Sequence, residues 1–118
     1  MVRVSGGVES LQEIAYLLGV DTVFLFNLSG MAIESHGMKN EDEVAASLAE
    51  IIHTLNRHGF PTDNITLKDG ANTTIISVKK VGDMEIYALM VGKDTPNVEE
   101  ARRLLDEYLT NLTRGGRS

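Results

Sequence analysis

The sequence contains no cysteine. Disulfides, thiolate metal sites and cysteine nucleophiles are therefore excluded. It has no tryptophan, and aromatic residues make up only 5% of it. A core must be aliphatic, and the 42% of hydrophobic residues can supply one from Leu, Ile, Val, Met and Ala. Basic residues are the minority: 11 Lys and Arg face 17 Asp and Glu, for a net charge of −6. A nucleic-acid binder needs a basic face to neutralise phosphates, and the cations here are scattered among acids. No apolar run approaches the ~20 residues of a membrane span. The opening Met1-Val2-Arg3-Val4 followed by Ser5-Gly6-Gly7 has no apolar stretch of the secretory-leader kind. The expectation is a soluble cytoplasmic protein with no nucleic-acid partner and no direct membrane insertion. At 118 residues it reads as one domain over 1–113, with a flexible Gly-rich lead-in at 5–7 and a flexible basic tail at 114–118.

Hydrophobic periodicity places the elements. Val8, Leu11, Ile14, Ala15 and Leu18 fall on one helical stripe, closed by Gly19. The stretch DTVFLFNLSGMAIES then reads as a hairpin. Residues 22–28 are apolar on both alternating sets, as in a strand covered on both faces. Residues 31–36 turn polar, as an edge strand does. Ser29-Gly30 supplies the tight turn between them. The longest helix opens at Asn40, which with Glu43 makes a capping-box pattern. Its acids stand at the positive end of the dipole and Arg57 and His58 at the negative end, before Gly59 and Pro61.

Strands follow at 64–68, 73–80 and 84–91, separated by Asp69-Gly70 and Gly82-Asp83. Thr95-Pro96 reads as the cap and first position of a last helix. Its expected buried stripe is Val98, Ala101, Leu105, Tyr108 and Leu112, with Glu99 and Arg103 as an exposed pair. The order is α-β-β-α-β-β-β-α. The two doubly apolar strands, 22–28 and 84–91, want the centre of the sheet. The fold class is α+β, a five-stranded antiparallel sheet with the long helix on one face and the two terminal helices on the other.

Few residues offer chemistry. His53 and His58 lie about 140° apart on a helix and cannot share a metal as an i,i+4 pair would. His36 is distant from both, so no metal is expected. Gly92-Lys93-Asp94-Thr95 lacks the spacing of a phosphate loop and reads as a strand end leading into a helix cap. No pair of acids is placed by spacing as general acid and base, and no serine sits in a nucleophile elbow. The expectation is a non-enzyme with no cofactor.

The long helix carries two apolar bands. Val44, Leu48, Ile51 and Leu55 form a tight stripe, assigned to the core. Beside it runs a small-residue band, Ala45, Ala49, Ile52 and Asn56. That band is either partly buried within the chain or packed helix to helix across a symmetric dimer. The polar strand 64–68, expected at a sheet edge, would complete such a contact by pairing with its own copy.

Taken together, TVFLFNLSGMAIES, EDEVAASLAEIIHTLNRHG, ITLKDG and MEIYALMVGKDTPNVEEARRLL make a sequence that resembles the roadblock/dynein light chain family over most of its length. That family's turn usually carries an acid before the glycine; here Asn27, Leu28 and Ser29 stand near that place. The resemblance implies a roadblock/profilin-like fold, a homodimer with a continuous sheet, and long helices side by side. It implies a non-enzymatic platform that binds and regulates a small Ras-like GTPase or scaffolds a larger machine. Carried onto this chain, the dimer contact falls on Ala45, Ala49, Ile52 and Asn56 with Asn64, Ile65, Thr66, Leu67 and Lys68. The partner-binding face falls on Ala46, Glu50, His53 and Arg57. Two other readings stand beside it: a profilin- or PAS-like small-molecule sensor, and a purely structural dimerisation module.

Overall fold

The computed structural model describes residues 8–115, with side chains to 112. The expected lead-in at 5–7 lies outside the described residues. Three helices and five strands follow the expected order: α1 (Leu11–Leu18), β1 (Thr22–Asn27), β2 (Ala32–His36), α2 (Glu41–Arg57), β3 (Asn64–Asp69), β4 (Ala71–Val81), β5 (Met84–Gly92) and α3 (Val98–Gly115). α3 thus runs into the expected tail, whose last residues, 116–118, lie outside the described ones.

The local signals mostly act as chemistry dictates. Ser10 caps α1 by accepting from the Glu13 amide at 3.1 Å, so this helix starts three residues later than its apolar stripe, though Val8 is still buried. Two caps differ from expectation. Asn40 sits in the left-handed region (φ 56°) with no side-chain cap bond, so the capping box does not form. Glu41, Asp42 and Glu43 still oppose the α2 dipole. At α3 the Asn97 side chain, not Thr95, accepts from the Glu100 amide at 2.8 Å. An Asx side chain competes well for that bond and moves the helix start past Pro96.

The sheet is antiparallel throughout, in the order β2-β1-β5-β4-β3. The doubly apolar β1 and β5 are neighbours inside it, and the polar β2 and β3 are its edges. On one face, Val23, Leu25, Ile76, Ile86, Ala88 and Met90 pack under α1 and α3. α3 contributes Ala101, Leu104, Leu105, Tyr108 and Leu109, while Leu112 is exposed. Arg103 pairs with Glu100 and Glu107, not with Glu99.

On the other face, Phe24, Phe26, Ile75, Tyr87 and Leu89 pack under α2. Phe26 stacks between Phe24 and Tyr87, with centroids 5.8 Å apart on each side. This aromatic layer corrects the expected orientation of α2. Ala45 and Ile52 face the sheet, Ala49 is buried beside them, and Ile51 is 47% exposed. The rings rise beneath the helix axis, where Ala45 and Ile52 pack against them. The larger Val44 and Leu48 pack at the side, half-buried.

Candidate functional site

Two flanks of α2 remain at the surface. One carries Ala46, Glu50, His53 and Arg57, the expected partner-binding residues. They line one open groove with Leu28, Ser29 and Gly30 of the β1–β2 turn. The structure therefore brings all four together and adds a neighbour that sequence periodicity did not supply. The His53 Nε2 lies 2.8 Å from the Leu28 carbonyl oxygen. Gly30 has φ +85°, and a Cβ there would stand 3.3 Å from the Ala46 Cα. Turn and helix are in close contact, and glycine meets both the backbone and the space requirement. Arg57 donates to the Thr54 hydroxyl at 3.3 Å, and Arg57 and Glu50 are both exposed.

The turn itself is held by Asn27, which is buried. Its Oδ1 accepts from the amides of Ser29 (3.0 Å) and Met31 (3.1 Å). An Asx side chain bonding two residues on is a turn former in its own right. That signal lay in the sequence, beside the departure from the family's acid-glycine turn.

The other flank carries Val44, Leu48, Ile51 and Leu55, half-buried to exposed, on the side away from the turn. Val44 and Leu48 share an apolar cluster with Ile65 of β3. Leu67, on the same sheet face, is 55% exposed. The expected dimer residues divide accordingly. Asn64, Ile65, Thr66, Leu67 and Lys68 lie on the free edge strand. Ala45 and Ile52 are already covered by their own sheet, and Ala49, 4% exposed, lies in the groove beside Ala46 and His53, so none of the three offers an extended surface to a second chain. Asn56 is exposed, but its Oδ1 accepts from the Thr62 hydroxyl at 2.9 Å. The apolar surface left on α2 belongs to the stripe that periodicity assigns to the core. Alternating Phe24 and Phe26 on one strand face was the available signal that α2 must turn its small side inward.

The three histidines lie on separate elements or faces, and among the described residues no group of three His, Asp or Glu side chains is placed to hold a metal. Among the same residues no helix is long and apolar enough to cross a membrane.

A five-stranded antiparallel sheet with α2 on one face and α1 and α3 on the other is a roadblock/LC7-type fold. Solved structures show the same arrangement. MglB of Myxococcus xanthus superposes with a TM-score of 0.61 at 14% identity, over 89% of both chains. The gliding protein MglB of Thermus thermophilus gives 0.62 at 11% identity, over 96% of both. A Roadblock/LC7 domain from Streptomyces avermitilis gives 0.60 at 9% identity, over 94% of this chain and all of that one. No protein-family model matches the chain, and comparison with curated proteins gives no match.

Proposed function

We propose that this chain is a non-enzymatic cytoplasmic regulator or scaffold that acts as a homodimer and binds a small Ras-like GTPase through its paired long helices. The observation that carries this reading is the apolar flank of α2 beside an open sheet edge. Val44 and Leu48 of that flank and Ile65 of β3 pack against the same core layer, Ile51 and Leu67 are exposed, and removing such apolar surface from water favours association.

The two sheet edges contrast. β2 is short, carries an unpaired bulge residue at Ile33, and turns the charged Glu34 toward the terminal helices. These are devices that discourage strand addition. β3 pairs with β4 in continuous register with no bulge. The Ser77 amide bonds to the Asp63 carbonyl at 3.0 Å. Antiparallel alternation then aims the amides and carbonyls of Asn64, Thr66 and Lys68 at the free edge. With Thr66 on a two-fold axis, Asn64 meets Lys68 of the second copy and Ile65 meets its Leu67. Such a dimer sets two Ala46, Glu50, His53 and Arg57 ridges on one assembly. The roadblock-type fold and the sequence resemblance support a GTPase as the partner. The ridge acts by positioning that partner's own loops.

Light scattering of the purified chain tests the dimer. Wild type is expected at twice the chain mass and Ile51→Glu at the monomer mass, with the helical circular-dichroism signal kept. Capture of a nucleotide-loaded Ras-like GTPase from the source cell tests the ridge, with His53→Ala and Arg57→Ala weakening retention. A monomeric wild type, or no GTPase retained in either nucleotide state, overturns the reading.

A further inference from the structure

In a chain with no cysteine, the thiol-based redox responses are closed and methionine carries the sulfur chemistry that remains. Met31 and Met84 are both exposed and line one open cleft with Asn27, His53, Asp83 and Glu85. Met84 differs from Met31 in how its sulfur is used. The Asn27 side-chain amide donates to the Met84 Sδ at 3.3 Å. The orientation of that amide is fixed, because its oxygen already accepts from the Ser29 and Met31 amides and only its NH2 can face the sulfur. Asn27 is 6% exposed, so water offers it little replacement. Its backbone closes the same turn: Asn27 N donates to the Met31 carbonyl and Gly30 N to the Asn27 carbonyl, each at 3.1 Å. One buried side chain thus joins a solvent-facing thioether to the turn whose Leu28 carbonyl meets His53.

We infer that Met84 is a site of reversible oxidation by hydrogen peroxide, and that its sulfoxide loosens the β1–β2 turn and releases His53 from Leu28. In the step, the peroxide O–O bond breaks and one oxygen atom forms an S–O bond with Sδ. The sulfur loses two electrons to the peroxide, and water leaves. The product is larger, polar and pyramidal, and methionine sulfoxide reductases reverse it. Its new oxygen occupies space next to an amide that stood 3.3 Å from the sulfur. Asn27 must either follow that oxygen or lose its partner while buried, and in both cases its hold on Ser29 and Met31 weakens. Asp83 and Glu85 on the cleft rim favour a neutral oxidant over an anionic one. The inference concerns the regulation of the ridge proposed above, but its readout needs no binding partner.

The experiment uses the full chain, isotope-labelled, before and after hydrogen peroxide, with mass spectrometry to locate the sulfoxides. The expected result is Met84 oxidation, amide exchange at Ser29 and Met31 faster by about tenfold, and displaced ring signals of His53. A methionine sulfoxide reductase restores the original spectrum. Met31→Leu keeps the response and Met84→Leu abolishes it. Unmodified Met84, unchanged turn amides beside an oxidised Met84, or a response that survives in Met84→Leu overturns the inference. Loss of GTPase capture without these turn changes bears on the proposed function alone.

Discussion

The Tyr108 hydroxyl donates a hydrogen bond to the Glu34 carboxylate, joining residues 74 positions apart. Tyr108 belongs to the buried face of α3 and Glu34 to an edge strand, so the bond pins the last helix across the end of the sheet. A charged group in the half-buried layer is tolerated because it has this donor.

Removing the hydroxyl leaves Glu34 without that donor. Tyr108→Phe is expected to lower stability by about 1.5–3 kcal/mol, the range for bonds to charged groups, as read by urea unfolding. Burial, and then the bond to Glu34, hold the Tyr108 phenol above its ordinary range. The folded chain keeps this proton where the unfolded chain, with a phenol pKa of about 10, has released it. Its contribution is therefore whole below pH ~10 and declines as pH rises beyond that. Wild type will lose stability more steeply in alkali than Tyr108→Phe does.

Ala49 lies 4% exposed, at the floor of the groove lined by Ala46, Glu50 and His53 and next to the buried layer of Ala45 and Ile52. Ala49→Glu places a charge in that layer with no partner and is expected to prevent folding, not merely dissociate a dimer. Ala49→Leu overfills the same space and should cost about 1–3 kcal/mol. Circular dichroism beside light scattering separates this outcome from that of Ile51→Glu, which should stay folded.

The Thr74 hydroxyl is fully buried and has no hydrogen-bond partner among the described residues. Thr74→Val keeps the branched shape that a strand prefers and removes the unpaired group. Thermal unfolding should show a gain of about 1 kcal/mol.

Arg102 reaches from α3 to two carbonyls: its Nε donates to Ser77 at 2.9 Å and its Nη2 to Asp63 at 3.0 Å. Ser77 borders the β4 bulge, and Asp63 directly precedes β3. A lysine has no fork to span both acceptors. Arg102→Lys is expected to speed amide exchange at Ser77 and along β3, while β1 and β5 stay protected.

Much of the fold was legible in the chain itself. The doubly apolar runs of β1 and β5 required cover on both faces, and that fixed them inside the sheet. The polar character of β2 and β3 sent them to the edges. Gly19, Gly30 and the acids of α2 marked their turns and ends. The ridge of Ala46, Glu50, His53 and Arg57 followed from the helical period. What periodicity did not reach was anything requiring knowledge of a neighbour: the Leu28 carbonyl under His53, the Asn97 cap, and the pairing of Arg103.

The sequence by itself determined which residues of α2 share a face, because the helical repeat is a property of the backbone. Only the tertiary structure decided which face turns inward. Hydrophobicity favoured Val44, Leu48, Ile51 and Leu55, but the rings of Phe24, Phe26 and Tyr87 had already filled the space below the helix. Ala45 and Ile52 pack against that layer, and Val44 and Leu48 reach it only from the side. Close packing chose between two apolar stripes, and in doing so left the larger one half-buried to exposed on the helix flank.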